Sequence, residues 1–165
     1  MTAAPSSLDR LLAADAIRQL KASYCRFVDT KQWGRLTALF APDARVEGFG
    51  SVPDGSDAAA FVEGVAAFLG PAISIHHVHE PQILVSGPDT ARAVWPMMDY
   101  VERPAAPTPE ERGWIGWGFY EEDYVRSAGI WRIAFMRLAR QRMDALTPDH
   151  PRPRPGRIPP VPGWI

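Results

Sequence analysis

Four β-rich stretches fill the second half of this chain, at residues 73–86, 91–103, 114–126 and 130–142. Only GPDT, PAAPTPEERG and SAG separate them, and Gly, Pro, Asp and Ser in those separators are turn formers. Each stretch is far longer than the usual strand of about five or six residues, which suits a strongly curved sheet. Pro81 and Pro96 lie inside two of the stretches, so bulges or bends are expected there.

The first half reads differently. Leu8, Leu11, Leu12, Ile17, Leu20, Tyr24, Phe27 and Val28 recur at helical spacing and predict one buried stripe over residues 8–28. Ser6 and Ser7 can cap this helix, with Asp9 in its first turn. A second short helix is expected at 32–40, broken by APDA, then a short strand at 44–49. A third helix fits 57–69 and is stopped by Gly70-Pro71. Helices first and a long antiparallel sheet afterwards define an α+β protein. A curved sheet wrapped around a long amphipathic helix is a cone, and its mouth is a natural ligand site. The expected organisation is one domain over 1–146 and a tail over 147–165 holding seven prolines, which can be neither helix nor central strand. The apolar end of that tail, PPVPGWI, suggests that it lies on a surface, of this subunit or a neighbour.

Bulk properties exclude several classes of function. A net charge of −1 and a pI of about 6.4 leave no basic excess to hold nucleic acid. No apolar run approaches the roughly 20 residues of a membrane span. MTAAPSSLDR lacks the features of a secretory signal, and the one cysteine, Cys25, cannot form an internal disulfide; a cytoplasmic setting is expected. Glycine-rich phosphate loops are absent.

The residues able to carry chemistry are few. SIHHVHE holds His76, His77 and His79. In a strand, His77 and His79 share one face and His76 the other, with Ser74 and Val78. A metal reading of His77 and His79 lacks further ligands at suitable spacing, so no metal is expected. An acid–base reading needs one inward histidine whose second nitrogen is held by a carboxylate. Asp29 is the candidate partner. It sits near the C-terminal end of the first helix, where the dipole disfavours a carboxylate, so it either needs a cation or imidazole or is a solvated turn residue. Tyr24 lies on the buried stripe and its hydroxyl needs a partner. Asp99, within WPMMDYVE, is inward if Trp95 and Met97 are. It would then be a second carboxylate in an apolar cavity, able to serve as an acid; otherwise it faces outward and pairs with an arginine such as Arg137 or Arg140.

Three features taken together carry a resemblance. They are the Y-x-x-x-x-D helix end with its following W-x-x-L-x-x-L-F, the histidine strand, and the closing Y-x-x-x-G-x-W-R-I. In this order, over about residues 8–146, the chain resembles the SnoaL-like branch of the nuclear transport factor two-like superfamily. That branch includes bile-acid 7α-dehydratase, scytalone dehydratase and hexachlorocyclohexane dehydrochlorinase, cofactor-free lyases that use a His–Asp pair inside a cone. The resemblance implies His76 as the base, Asp29 as its orienting carboxylate, and Tyr24 and Asp99 toward the leaving group or carbonyl oxygen. It also implies no cofactor, a small-molecule substrate and a homo-oligomer, trimer or dimer.

The expected activity is therefore a cofactor-independent, dehydratase-type elimination on an apolar, ring-containing small molecule such as a steroid or polyketide-like compound. Trp33, Phe40, Trp95, Met97, Trp117 and Phe119 are the expected cavity wall, with His77 a secondary contact. The alternatives within the same fold are an isomerase or cyclase, and a non-catalytic binding or subunit role.

Overall fold

Ser6 opens α1 (Ser7–Asp29) with a capping box: its hydroxyl accepts from the Asp9 amide while the Asp9 carboxylate accepts from the Ser6 amide. The computed structural model describes residues 4–103, 108, 112–147, 149–151, 160, 161 and 163. Burial along α1 begins at Ala13 and continues through Ile17, Leu20, Lys21, Tyr24, Cys25, Phe27 and Val28. Leu8, Leu11 and Leu12, expected in the buried stripe, are instead about 60% exposed, because the first turns of the helix overhang the core. Cys25 is buried, and burial pushes its thiol up to about 12. No helix among the described residues is long and apolar enough to cross a membrane.

The second helix, α2 (Trp33–Thr37), is shorter than the sequence suggests, and β1 (Phe40–Glu47) starts earlier. APDA does not end a helix here. Pro42 lacks an amide hydrogen, and it lies where β1 shifts register between Phe40 and Arg45, so the strand absorbs it as a bulge. After β2 (Ser56–Asp57) comes α3 (Ala58–Leu69), capped by the Asp57 carboxylate on the Ala60 amide at 2.9 Å.

The first of the long β-rich stretches is two strands, β3 (Ile73–Val78) and β4 (Gln82–Val85), interrupted before Pro81. Both pair with β5 (Thr90–Glu102), β3 along its second half and β4 along its first. Pro96 stays within β5, and its carbonyl accepts from the His79 amide at 2.9 Å. β6 (Gly113–Ser127) and β7 (Ile130–Ala145) complete a seven-stranded sheet ordered β2-β1-β7-β6-β5-β3. All neighbours are antiparallel except β1 and β7, which run parallel because the chain passes through α3 and the rest of the sheet between them. The sheet is curved and does not close, and α1 packs along β3 on its concave side, the cone-shaped α+β arrangement.

A lysine belongs to the core. Lys21 is fully buried, with its ammonium 2.5 Å from Glu122 and 3.5 Å above the ring of Tyr120. Glu122 also accepts from the Tyr124 hydroxyl, which accepts in turn from the Trp95 indole at 3.0 Å. The tail is described at a few points only. Arg112, paired with Glu102, donates to the carbonyls of Thr147 and His150, and Arg26 donates to that of Val161 at 3.1 Å. Most of the proline-rich segment lies outside the described residues, as does most of the loop between β5 and β6.

Candidate active site

Asp29 is the last residue of α1, and its carboxylate turns onto β3. One oxygen lies 2.6 Å from Nδ1 of His76 and accepts the Ser74 hydroxyl at 3.0 Å. The other accepts the His76 backbone amide at 2.8 Å. Three hydrogen bonds thus offset the unfavourable dipole position of this carboxylate. With the carboxylate accepting, Nδ1 of His76 carries hydrogen and Nε2 is the basic nitrogen. Nε2 has no protein partner among the described residues. The His76 side chain is 7% exposed and lines a cavity of about 350 Å³.

Strand register sets the next group. His76 stands opposite Asp99 on β5, and Asp99 opposite Gly116 on β6. Asp99 faces inward with Trp95 and Met97, and it is also paired with an arginine; the two arrangements distinguished by sequence occur together. Arg140 Nη1 lies 2.7 Å from one Asp99 oxygen and Nη2 2.5 Å from the other. A carboxylate gripped on both oxygens by a guanidinium is an acceptor, not a proton donor, so the acid role considered for Asp99 does not suit its surroundings. The sequence offers Arg140 only as an outward partner of Asp99, whereas it lines the cavity. It reaches Asp99 across Gly116, where an added Cβ would stand 2.5 Å from Asp99 Oδ1 and collide with Arg140 Nη1. Gly116→Ala is therefore expected to displace the pair and cost about 1–3 kcal/mol. Thermal melting measures this, and an unchanged midpoint would show that the pair has room to move.

Tyr24 and Tyr120 complete the polar wall, their rings edge to face at 5.8 Å. Burial holds both phenols well above their ordinary range, so each is present as a neutral hydroxyl. The remaining wall is apolar: Phe49 from the loop after β1, then Phe61, Val65 and Phe68 from α3, and Leu138 and Met143 from β7. Two buried polar atoms on this wall, Ser51 Oγ and Trp114 Nε1, have no protein hydrogen-bond partner.

None of the residues expected from sequence to form the wall lines the cavity. Trp117 and Phe119 alternate with the inward Gly116, Gly118 and Tyr120, so they take the outer face, where Arg142 lies 5.6 Å over Trp117. Trp95 and Met97 face inward but sit in the packed core, Trp95 bound to Tyr124. Phe40 is buried behind Tyr24 and Phe61. Trp33 stands at the start of α2, 5.8 Å from the Lys31 ammonium. His77 and His79 are exposed, and no three His, Cys, Asp or Glu side chains converge as a metal-ligand set among the described residues. The wall does have a sequence signature, the i, i+4, i+7, i+8 series of Phe61, Val65, Phe68 and Leu69 in α3, but it reads equally as packing against the core.

Comparison with known proteins agrees with this architecture. The sequence matches the SnoaL-like domain over residues 9–137. A curated Gibberella zeae protein named "Probable cyclase FGR4" is 27% identical over 146 residues, 78% of this chain and 91% of that one. The solved hexachlorocyclohexane dehydrochlorinase LinA-type3 from Novosphingobium barchaimii superposes with a TM-score of 0.73 at 22% identity, covering 90% of this chain and 100% of that one. A scytalone dehydratase-like protein of Novosphingobium aromaticivorans gives 0.71 at 19%, again over 90% and 100%.

Proposed function

Since the chain belongs to the SnoaL-like domain family, we propose that it is an enzyme of the lyase type, a cofactor-independent dehydratase acting on an apolar, ring-containing small molecule such as a steroid or polyketide-like compound. The observation that carries this reading is the 2.6 Å contact of Asp29 with His76 Nδ1 at the wall of a largely apolar cavity of about 350 Å³. Such a hollow is of the size that takes drug-sized ring systems.

In this mechanism Nε2 of His76 takes a proton from the carbon next to a carbonyl. The C–H electron pair moves into an enolate, and Asp29 steadies the imidazolium that forms. Arg140, with N–H groups left over from its pair with Asp99, stands where it can face the developing oxyanion, and the Tyr24 hydroxyl adds a neutral donor. The enolate then expels hydroxide from the β carbon. A proton from the imidazolium, directly or through Tyr24, converts the hydroxide to water and leaves His76 ready for another turn. Asp99 is in this scheme a positioning residue that holds Arg140.

A cyclase or isomerase would use the same proton abstraction and return the proton to another atom, and the relative named a cyclase favours that second reading. Incubating the protein with β-hydroxy ketones of one to four fused rings separates the two by mass spectrometry. Loss of the mass of water is the expected result. A product with the substrate's molecular formula but a different chromatographic retention would replace the lyase by an isomerase or cyclase. No turnover of the series, with the folded protein still binding its members, would favour a non-catalytic role.

A further inference from the structure

Immediately after α1 and its cap Thr30, Lys31 adopts φ 61°, in the left-handed region. Its amide returns to the Val28 carbonyl at 3.2 Å, and that of Gln32 to Phe27 at 2.8 Å, closing the helix end. Glycine is the usual residue at such a position, and a residue with a side chain there costs about 1–2 kcal/mol. The lysine side chain has a specific destination. Nζ donates to Ser74 Oγ at 2.8 Å, and the Ser74 hydroxyl donates to Asp29 Oδ1 at 3.0 Å. That same oxygen meets His76 Nδ1. A cation is thereby joined through one hydroxyl to the carboxylate that holds the imidazole.

We infer that Lys31 is a positioning residue that, acting through Ser74, sets the protonation of the Asp29–His76 pair and keeps His76 in its unprotonated, basic form near neutral pH. A lone carboxylate beside an imidazole favours the imidazolium; a cation bound to the same carboxylate opposes it. The other charged or titratable groups around His76 do not duplicate this. Asp99 stands opposite on β5 and is engaged by Arg140 from β7, while Tyr24 from α1 and Tyr120 from β6 are neutral phenols. Burial draws the Lys31 ammonium below its ordinary range and the nearby Asp29 charge opposes that, the coupling expected of an ion serving this carboxylate.

The inference deepens the reading of His76 as the base, but its test needs no substrate. Imidazole titrations by ¹H–¹⁵N NMR are compared in the full-length protein, Lys31→Gly and Lys31→Arg, with His76→Gln to assign the resonance. Glycine suits φ 61°, so Lys31→Gly is expected to fold and to melt within a few degrees of the parent. The His76 midpoint should rise by about half a pH unit or more in Lys31→Gly and stay near the parent value in Lys31→Arg. His77 and His79, exposed on the opposite face, should not move. In a Ser74→Ala background the Lys31→Gly shift should shrink by about half or more, since the connecting hydroxyl is gone. An unchanged or lowered midpoint in folded Lys31→Gly overturns the inference, and an undiminished shift without Ser74 overturns the relay. If the midpoint rises but His76→Gln still turns over substrate, the coupling stands and the catalytic reading falls.

Discussion

His76→Gln and Asp29→Asn should each lower turnover by roughly 10²- to 10⁴-fold, the range expected when a positioned acid–base group is lost. Glutamine keeps much of the size of the imidazole and can hydrogen-bond to Asp29, but it has no basic nitrogen to take a proton. Asparagine at position 29 keeps the shape of the carboxylate and removes its charge. Its single carbonyl oxygen cannot replace both carboxylate oxygens, one of which holds His76 Nδ1 and Ser74 and the other the His76 backbone amide, so the imidazole loses the charge that stabilises its protonated form and, where the NH₂ group faces Nδ1, its tautomer as well. The two groups act as one unit, so the double variant should be little worse than the poorer single one. Steady-state kinetics on any substrate that the parent dehydrates, with circular dichroism to verify folding, provide the check. Full activity in both folded variants would remove His76 and Asp29 from the chemistry and leave only the architecture.

Glu122→Ala should be the most damaging single change to stability. It strands the Lys21 ammonium, which is completely buried beneath two aromatic rings, without its counter-ion. Breaking a buried pair by removing one partner costs about 3–5 kcal/mol, because the remaining charge has lost its water and gains nothing in return. For a chain of this size that is a fall of roughly 6–20 °C in melting temperature. The change also takes away the acceptor of the Tyr124 hydroxyl. Lys21→Met together with Glu122→Gln should recover most of the loss, since it removes both charges, keeps the volume and leaves Tyr124 an acceptor. Should the double variant melt as low as Glu122→Ala, the cost comes from packing and not from a stranded charge.

Much of the architecture is legible in residue order. The period of about 3.6 in α1 and the Asp57 cap of α3 locate two helices within a residue or two. Strand alternation puts Ser74 with His76, and Trp95 and Met97 with Asp99, on inward faces, because successive side chains in a strand point oppositely. The carboxylate at the end of α1 is visible as a residue in need of a partner, since the helix dipole alone disfavours it. On β6 the same alternation is misleading. Its large aromatics Trp117 and Phe119 lie on the outer face, and its inward positions 116 and 118 are glycines, so size suggests the wrong side.

Residue order settles local matters: which segments are helix or strand, which residues share a face, and which side chains could exchange a proton. Which of them meet depends on how the elements pack. Arg140 reaches Asp99 because β6 offers a glycine between them and β6 shifts register against β7 at Trp117 and Gly118. Lys31 reaches Asp29 because a strand more than forty residues away supplies the intervening hydroxyl. Periodicity follows from backbone geometry within one element, whereas these contacts depend on the spacing, register and curvature of several elements at once, and no short-range pattern encodes that.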